Sequence, residues 1–182
     1  LLPDTASGKM SINDIKIEKL ETINGKGFGY RLTYVVPVPV DVYWNFKTDF
    51  NNDFLVTSKH ISSHRLIKTS ANEVVTENQY TSLPKSVFKW RTLIDHGYKS
   101  LSFSMIPNGR NNHKYHYGRI LVQAKGNMTA VTQEAYFDFF GASFWVNYPW
   151  YGGMKQFLRD IAKWEQQKAF ELKTIYLASA GL

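Results

Sequence analysis

Five histidines, His60, His64, His96, His113 and His116, are the side chains in this sequence best suited to hold a metal or move a proton near neutral pH. His60 and His64 stand four residues apart, a spacing that puts two ligands on one helical face. No glutamate completes an HExxH pattern between them, and Ile61-Ser62-Ser63 reads as the end of a helix, so no metal site is expected there. His113 and His116 fall in or beside the basic stretch Arg110-Asn111-Asn112-His113-Lys114, which reads as solvated. Asp49 and Asp53 lie near predicted helix ends, where capping and turn roles account for them without acid–base chemistry. No P-loop, nucleophile elbow or calcium loop occurs, and with no cysteine the chain has neither disulfides nor thiolate chemistry. No cofactor is expected.

The remaining chemistry is that of isolated polar groups set among aromatic ones on strand-like segments. Over 86–94, Phe88, Trp90, Thr92 and Ile94 alternate with Val87, Lys89, Arg91 and Leu93, so the first set is expected to face inward. Leu101, Phe103 and Met105 alternate with serines in the same way, and Val131, Gln133, Ala135, Phe137 and Phe139 form the more apolar set of the last strand. Gln133 would then be an inward amide in need of a partner, a ligand included. Over 115–122 either Tyr117 and Arg119 or His116 and Ile120 point inward, and burial favours Ile120, Val122 and Ala124. An inward Arg119 would grip a carboxylate or phosphate, whereas an outward one would face Glu134 on the adjacent strand. Tyr80, Arg119 and Glu134 are the first candidates for a catalytic group. A wide space lined by rings with few small aliphatics is what a site for an apolar ligand looks like.

These side chains need a scaffold, and the stretch from Tyr148 to Tyr176 supplies its axis. Trp150, Met154, Phe157, Ile161 and Trp164 recur at spacings of 4, 3, 4 and 3, an apolar stripe on a helix expected over about 149–176. Asn147 is placed as its cap and Pro149 in its first turn, with Lys155, Gln156, Arg159, Asp160 and Lys163 on the opposite face. Upstream, Ile12, Ile15, Ile17 and Leu20 mark a short apolar segment. Gly25, Gly27 and Gly29 make a turn, and a strand over 30–36 puts Tyr30, Leu32, Tyr34 and Val36 on one face. A strand after these glycines argues for a hairpin turn rather than a dinucleotide loop, which needs a helix there. Asp41 is placed to cap a short helix over 42–50, and a second is expected over 54–61. Six strands follow, over 64–69, 73–81, 86–94, 99–106, 115–125 and 129–139, separated by turn residues. Short connections argue for an antiparallel meander packed on the long helix.

The chain's 182 residues fit one domain, with 43% hydrophobic and 15% aromatic residues. A net charge of +7 suits acidic partners in general without choosing among them. No apolar run approaches the length of a membrane-spanning helix. The opening at Leu1 is compatible with removal of a signal peptide, so export to a periplasm or exterior is one expectation. Asn127-Met128-Thr129 matches a glycosylation triplet, a frequent chance occurrence.

The run Val36-Pro37-Val38-Pro39-Val40-Asp41-Val42-Tyr43-Trp44-Asn45-Phe46-Lys47-Thr48-Asp49-Phe50 resembles the opening of the START-like, or SRPBCC, superfamily, which includes birch-pollen-allergen-type and polyketide cyclase-like proteins. The order strand, two short helices, six strands, long helix is similar to that superfamily's helix-grip fold over residues 28 to 176. The resemblance implies an α+β class, with a curved antiparallel sheet of about seven strands wrapped around the C-terminal helix. Residues 1–27 would be a lead-in with an extra strand, and 177–182 a tail. It also implies a cavity between sheet and helix for an apolar or amphipathic ligand, and no shared catalytic residue. The lining would come from Tyr80, Phe88, Trp90, Phe103, Met105, Arg119, Gln133, Phe137, Met154, Phe157 and Ile161.

The leading functional expectation is binding or carriage of a hydrophobic, lipid-like small molecule, with an anionic membrane surface as a second partner and no nucleic acid. The alternatives are a cyclase- or dehydratase-type enzyme using the same cavity, and a basic adaptor for an acidic surface. The short helices and the aromatic bridge 139–148 would gate the cavity.

Overall fold

Among the described residues, alternation along the chain produces eight strands: β1 (Lys16–Leu20), β2 (Phe28–Val36), β3 (Ile61–Thr69), β4 (Glu73–Tyr80), β5 (Val87–Asp95), β6 (Ser100–Ile106), β7 (His113–Lys125) and β8 (Met128–Phe139). The computed structural model describes residues 11–22, 25–51, 56–81, 85–108, 113–139 and 153–179. The strands form one antiparallel sheet in the order β1-β2-β8-β7-β6-β5-β4-β3. Neighbours in sequence pair as a meander from β3 to β8, and β2 then closes on β8 with Phe28 opposite Phe137 and Val36 opposite Thr129. The sheet has one strand more than the seven counted from sequence, because Lys16–Leu20 pairs along the outer side of β2. The glycine-rich turn joins these two strands, as expected of a hairpin. Gly27 is required there: its φ is +74°, and an added Cβ would lie 2.5 Å from the Phe137 carbonyl oxygen.

The inward rows follow the apolar sets. On β5, Phe88, Thr92 and Ile94 are buried and Trp90 partly so, while Val87, Lys89, Arg91 and Leu93 are exposed. On β7, Ile120 and Val122 are buried and Arg119 and Tyr117 exposed, which settles the two-way choice; Ala124, near the strand end, is exposed as well. His116, read as solvated, points inward with Ile120 because it sits four residues earlier on the same strand.

Helix α1 (Val40–Thr48) starts two residues earlier than expected. Pro39, with φ −58°, occupies the N-cap, and its carbonyl accepts the Tyr43 N–H at 3.0 Å. Asp41 makes no cap; it stands in the first turn and pairs with Lys99 at 3.0 Å. The second short helix expected over 54–61 is not formed over its described part: residues 54 and 55 lie outside the described residues, Val56 and Thr57 make a single 3-10 turn, 58–60 bend and turn, and Ile61 already opens β3. His60 and His64 therefore do not share a helical face.

The C-terminal helix is α2 (Gly153–Glu171), followed after Leu172 by α3 (Lys173–Ser179), so a single rod over 149–176 is not formed. Helical structure also runs past residue 176, where a tail was expected. The interruption lets Tyr176 pack edge-on against Phe46, centroids 5.8 Å apart, and donate its hydroxyl to Asp49 at 2.8 Å. Asn147, Pro149, Trp150 and the bridge 140–148 lie outside the described residues.

Two rows run along α2. Leu158, Ala162, Glu165, Gln166 and Ala169 are the buried row, whereas Met154, Phe157, Ile161 and Trp164 are only partly buried. The stripe read from sequence is thus not the row in closest contact. Alanines do that work because they let the helix approach the sheet without a bulky side chain between. Gln166 secures the approach, its amide donating to the carbonyls of Val35 and Ile12, each at 2.7 Å. The solid core lies here, with Leu32, Tyr34, Val36 and Val131 of the sheet and Val42, Tyr43 and Phe46 of α1. Among the described residues, no helix is long and apolar enough to cross a membrane.

Where β6, β7 and β8 run side by side, Phe103, Gly118 and Ala135 are cross-strand partners on the inner face. A Cβ on Gly118 would lie 2.1 Å from the Glu134 carbonyl oxygen and 2.5 Å from Phe103 Cζ. Replacing Gly118→Ala is therefore expected to cost about 1–3 kcal/mol of stability through overpacking, read as a lower urea midpoint. An unchanged midpoint would mean that the strands part there freely.

Candidate functional site

The meeting of sheet and α2 leaves a cavity of about 280 Å³. Its floor is the inner face of β4 to β8, its roof the partly buried row of α2, and one end is closed by Phe46, Lys47, Asp49 and Phe50. Of the residues expected to line such a space, Tyr80, Trp90, Phe103, Gln133, Phe137, Met154, Phe157 and Ile161 do so. Phe88 and Met105 face inward but are packed away from it, at 1% and 6% exposure. Phe88 stands edge-on behind Tyr80, 5.2 Å between centroids, and Met105 pairs across the ladder with Trp90. Arg119 is on the opposite side of the sheet, its guanidinium 3.4 Å from Ser100 Oγ, because Ile120 takes the inward position next to it. Glu134 also faces out and is held by Arg31 at 2.7 Å.

The floor is aromatic. The His116 ring lies 4.8 Å from that of Trp90, near perpendicular, and 5.2 Å from that of Phe137. Trp90 and Phe103 meet at 6.0 Å. Burial pushes the His116 imidazole down to about 3, so the ring is neutral at physiological pH. Tyr80 is pushed the other way, to about 12, by the same desolvation, against the pull of hydrogen bonding with Asn78 and Trp90. On the far side His64 bonds Asn78 Oδ1 at 2.7 Å and the Phe50 carbonyl at 2.8 Å. His60 packs edge-on against Phe157, centroids 4.9 Å apart, with its Nε2 3.7 Å from Asp160. No cluster of three or more histidine and carboxylate side chains able to hold a metal ion occurs among the described residues.

The closed end holds the group that the sequence reading missed. Glu165 is buried and paired with Lys47 through Oε1, while its Oε2 accepts from Tyr34 and, at 2.5 Å, from Tyr43. Burial alone would raise its carboxyl; the Lys47 ammonium and the hydrogen bonds from Lys47, Tyr34 and Tyr43 outweigh that and hold it below the usual carboxylate value. The tyrosine hydroxyls are correspondingly driven well up, by burial first and by the carboxylate second. The available signal was periodic: Glu165 falls on the line Leu158, Ala162, Glu165, Ala169, a charge where spacing calls for an apolar residue.

The architecture is the START-like helix-grip fold: an antiparallel sheet gripping a C-terminal helix across a cavity. Solved structures that share it include a STAR-related lipid transfer protein from Xanthomonas axonopodis, at TM-score 0.63 and 11% identity over 87% of this chain and 95% of that one. Norcoclaurine synthase from Thalictrum flavum aligns at TM-score 0.57 and 11% identity over 94% of this chain and 96% of its own. An aromatase/cyclase from a Streptomyces species aligns at TM-score 0.52 and 11% identity, over 84% and 89% of the two chains. At these identities the likeness is one of fold. No family model and no curated protein sequence matches the chain.

The buried imidazole makes the fold acid-sensitive. The unfolded chain takes up this proton near pH 6.5 and the folded chain only near 3, so the His116 contribution is whole above pH 6.5 and lost as pH falls toward 3. The lowered Glu165 adds a similar loss only below its unfolded value of 4.5. His116→Phe should therefore flatten the stability profile between those two values by up to about 1.4 kcal/mol per pH unit, measured by urea denaturation at several pH values. His60, whose imidazole burial also lowers, titrates in both proteins and cancels in the comparison. Parallel profiles would place the His116 ring in contact with bulk water.

Proposed function

We propose that the protein binds, and thereby carries, a hydrophobic or amphipathic small molecule in the cavity between sheet and α2. The observation that carries this reading is the split along the helix: an alanine row closes one part of the interface and an aromatic row leaves the other open. Rings and aliphatic groups from both walls converge on the space, and a ligand that buries about 200 Å² of apolar surface would gain roughly 5 kcal/mol before ordering costs. The neighbour that is a lipid transfer protein supports the same class of cargo. The net charge of +7 suits loading or release at an anionic membrane surface.

A basic adaptor has less support, since cations on the outer sheet face alternate with carboxylates: Arg65 with Glu77, Arg91 with Glu73 and Arg31 with Glu134. A cyclase- or dehydratase-type enzyme has one observation in its favour, the Tyr80 hydroxyl and the His116 imidazole on the wall of the same cavity. Arg119 and Glu134 leave the list of candidate acids and bases because they face outward.

Organic extraction of the purified protein followed by mass spectrometry should release a co-purifying apolar compound. Ile161→Trp, which puts a larger ring into the cavity from α2, should weaken binding of a neutral fluorescent probe such as Nile red at least tenfold while leaving the melting temperature within a few degrees. A protein that is always empty and does not bind the probe ends the carrier reading. The enzyme reading separates on Tyr80→Phe: turnover of an aromatic polyketide-like substrate lost with probe binding kept supports catalysis, and no turnover in either protein supports carriage.

A further inference from the structure

The ammonium on the cavity wall is already matched within the protein. Among the described residues lining the cavity, the carboxylates are Asp49 and Glu165 and the ammonium is Lys47. Lys47 and Glu165 are paired with each other, and the second Glu165 oxygen is taken by two tyrosine hydroxyls. Asp49 accepts the Tyr176 hydroxyl at 2.8 Å. Both nitrogens of His64 are engaged, one by Asn78 and the other by the Phe50 carbonyl. His116 is enclosed by the rings of Trp90, Phe103 and Phe137, surroundings that leave an imidazole uncharged.

Gln133 differs from all of these. It stands mid-strand on β8 between Leu32 of β2 and Ile120 of β7, with its amide in the cavity wall. Its side chain has no hydrogen-bond partner among the described residues. An amide both donates and accepts, so it can meet a hydroxyl or a carbonyl equally well, but it offers no countercharge. An anionic head group in this space would lose its water and find Lys47 already matched by Glu165, while a cationic one would have to compete with the Tyr176 hydroxyl for Asp49; a buried ion without a countercharge of its own is the costly case.

We propose that the cavity selects an uncharged amphiphile, an apolar body bearing a hydroxyl or carbonyl group that bonds the Gln133 amide, over carboxylate, phosphate or amine analogues of the same body. The proposal rests on the carrier reading above and narrows the class of its cargo. Affinity comes from the apolar body, and Gln133 fixes which end leads and which head group is tolerated. Discrimination of this kind is steep, because a site that lacks a countercharge rejects an ion more strongly than a site that lacks a methylene rejects a longer chain.

The test is displacement of Nile red at pH 8 by a series with one tail: dodecanol, dodecanamide, dodecanoate and dodecylamine. Dodecanol and dodecanamide should displace the probe at concentrations at least tenfold lower than either charged analogue. Gln133→Leu should weaken dodecanol and dodecanamide about tenfold more than it changes the affinity for Nile red, which is measured separately for each variant. Gln133→Lys should turn the preference toward dodecanoate. Equal or better displacement by dodecanoate or dodecylamine overturns the selectivity while the carrier reading stands. Failure of the probe to bind at all, in protein that melts cooperatively, overturns the carrier reading first. Head-group selectivity that survives in Gln133→Leu overturns the role given to Gln133. Should both variants fail to fold, the wild-type series alone still decides the selectivity.

Discussion

The close seating of α2 on β2 is the constraint from which the interior follows. Ala162 and Ala169 are fully enclosed, and Glu165 and Gln166 between them reach the sheet and α1 through hydrogen bonds. A buried carboxylate is tolerable only with its charge answered, and here Lys47 answers it from α1 while two tyrosines saturate the other oxygen. Removing Lys47 alone would leave an uncompensated ion inside the protein, a change that typically costs about 3–5 kcal/mol. The pair thus fixes the azimuth of the helix as well as its height. With the alanine row pressed to the sheet, the aromatic row is held at the angle where it overhangs the floor without filling the gap.

The aromatic floor depends on a second local device. Phe103 extends over Gly118 and toward Ala135, two positions with almost no side chain, so its ring lies along the sheet rather than standing up from it. A larger residue at either place would lift the ring into the space now available for a ligand. The sheet's inner surface is therefore shaped as much by where side chains are missing as by where rings occur.

Much of the architecture was legible from period alone. Six strand segments from 64 to 139 emerge within a few residues of their observed limits, because one face of each is apolar and the turns between them are polar or glycine-rich. The inward rows of β5 and β6 could be read for the same reason. Legibility failed where a tertiary contact overrode the local pattern. Bulky residues on α2 mark the row that roofs the cavity and not the row of closest approach, since hydrophobicity scales cannot say that alanine marks it. His116 looked solvated because its neighbours in sequence are basic, yet strand alternation carries it inside. Nothing near Glu165 in sequence hints at Lys47, 118 residues away. Arg119 has the chemistry of an anion-binding group, but two apolar neighbours at 120 and 122 decide its direction.

The sheet ends in two quite different rims. β1 is five residues long and carries Lys16 and Lys19 outward, and β3 is interrupted by irregular register at Ile61/Ser63 and Leu66/Lys68 with Arg65 and Lys68 exposed. Short length, kinked backbone and lysine side chains are the means by which open sheets avoid recruiting further strands from other molecules. A macromolecule that meets this protein would thus have to recognise its side chains, since neither border presents a straight ladder of amides for backbone augmentation.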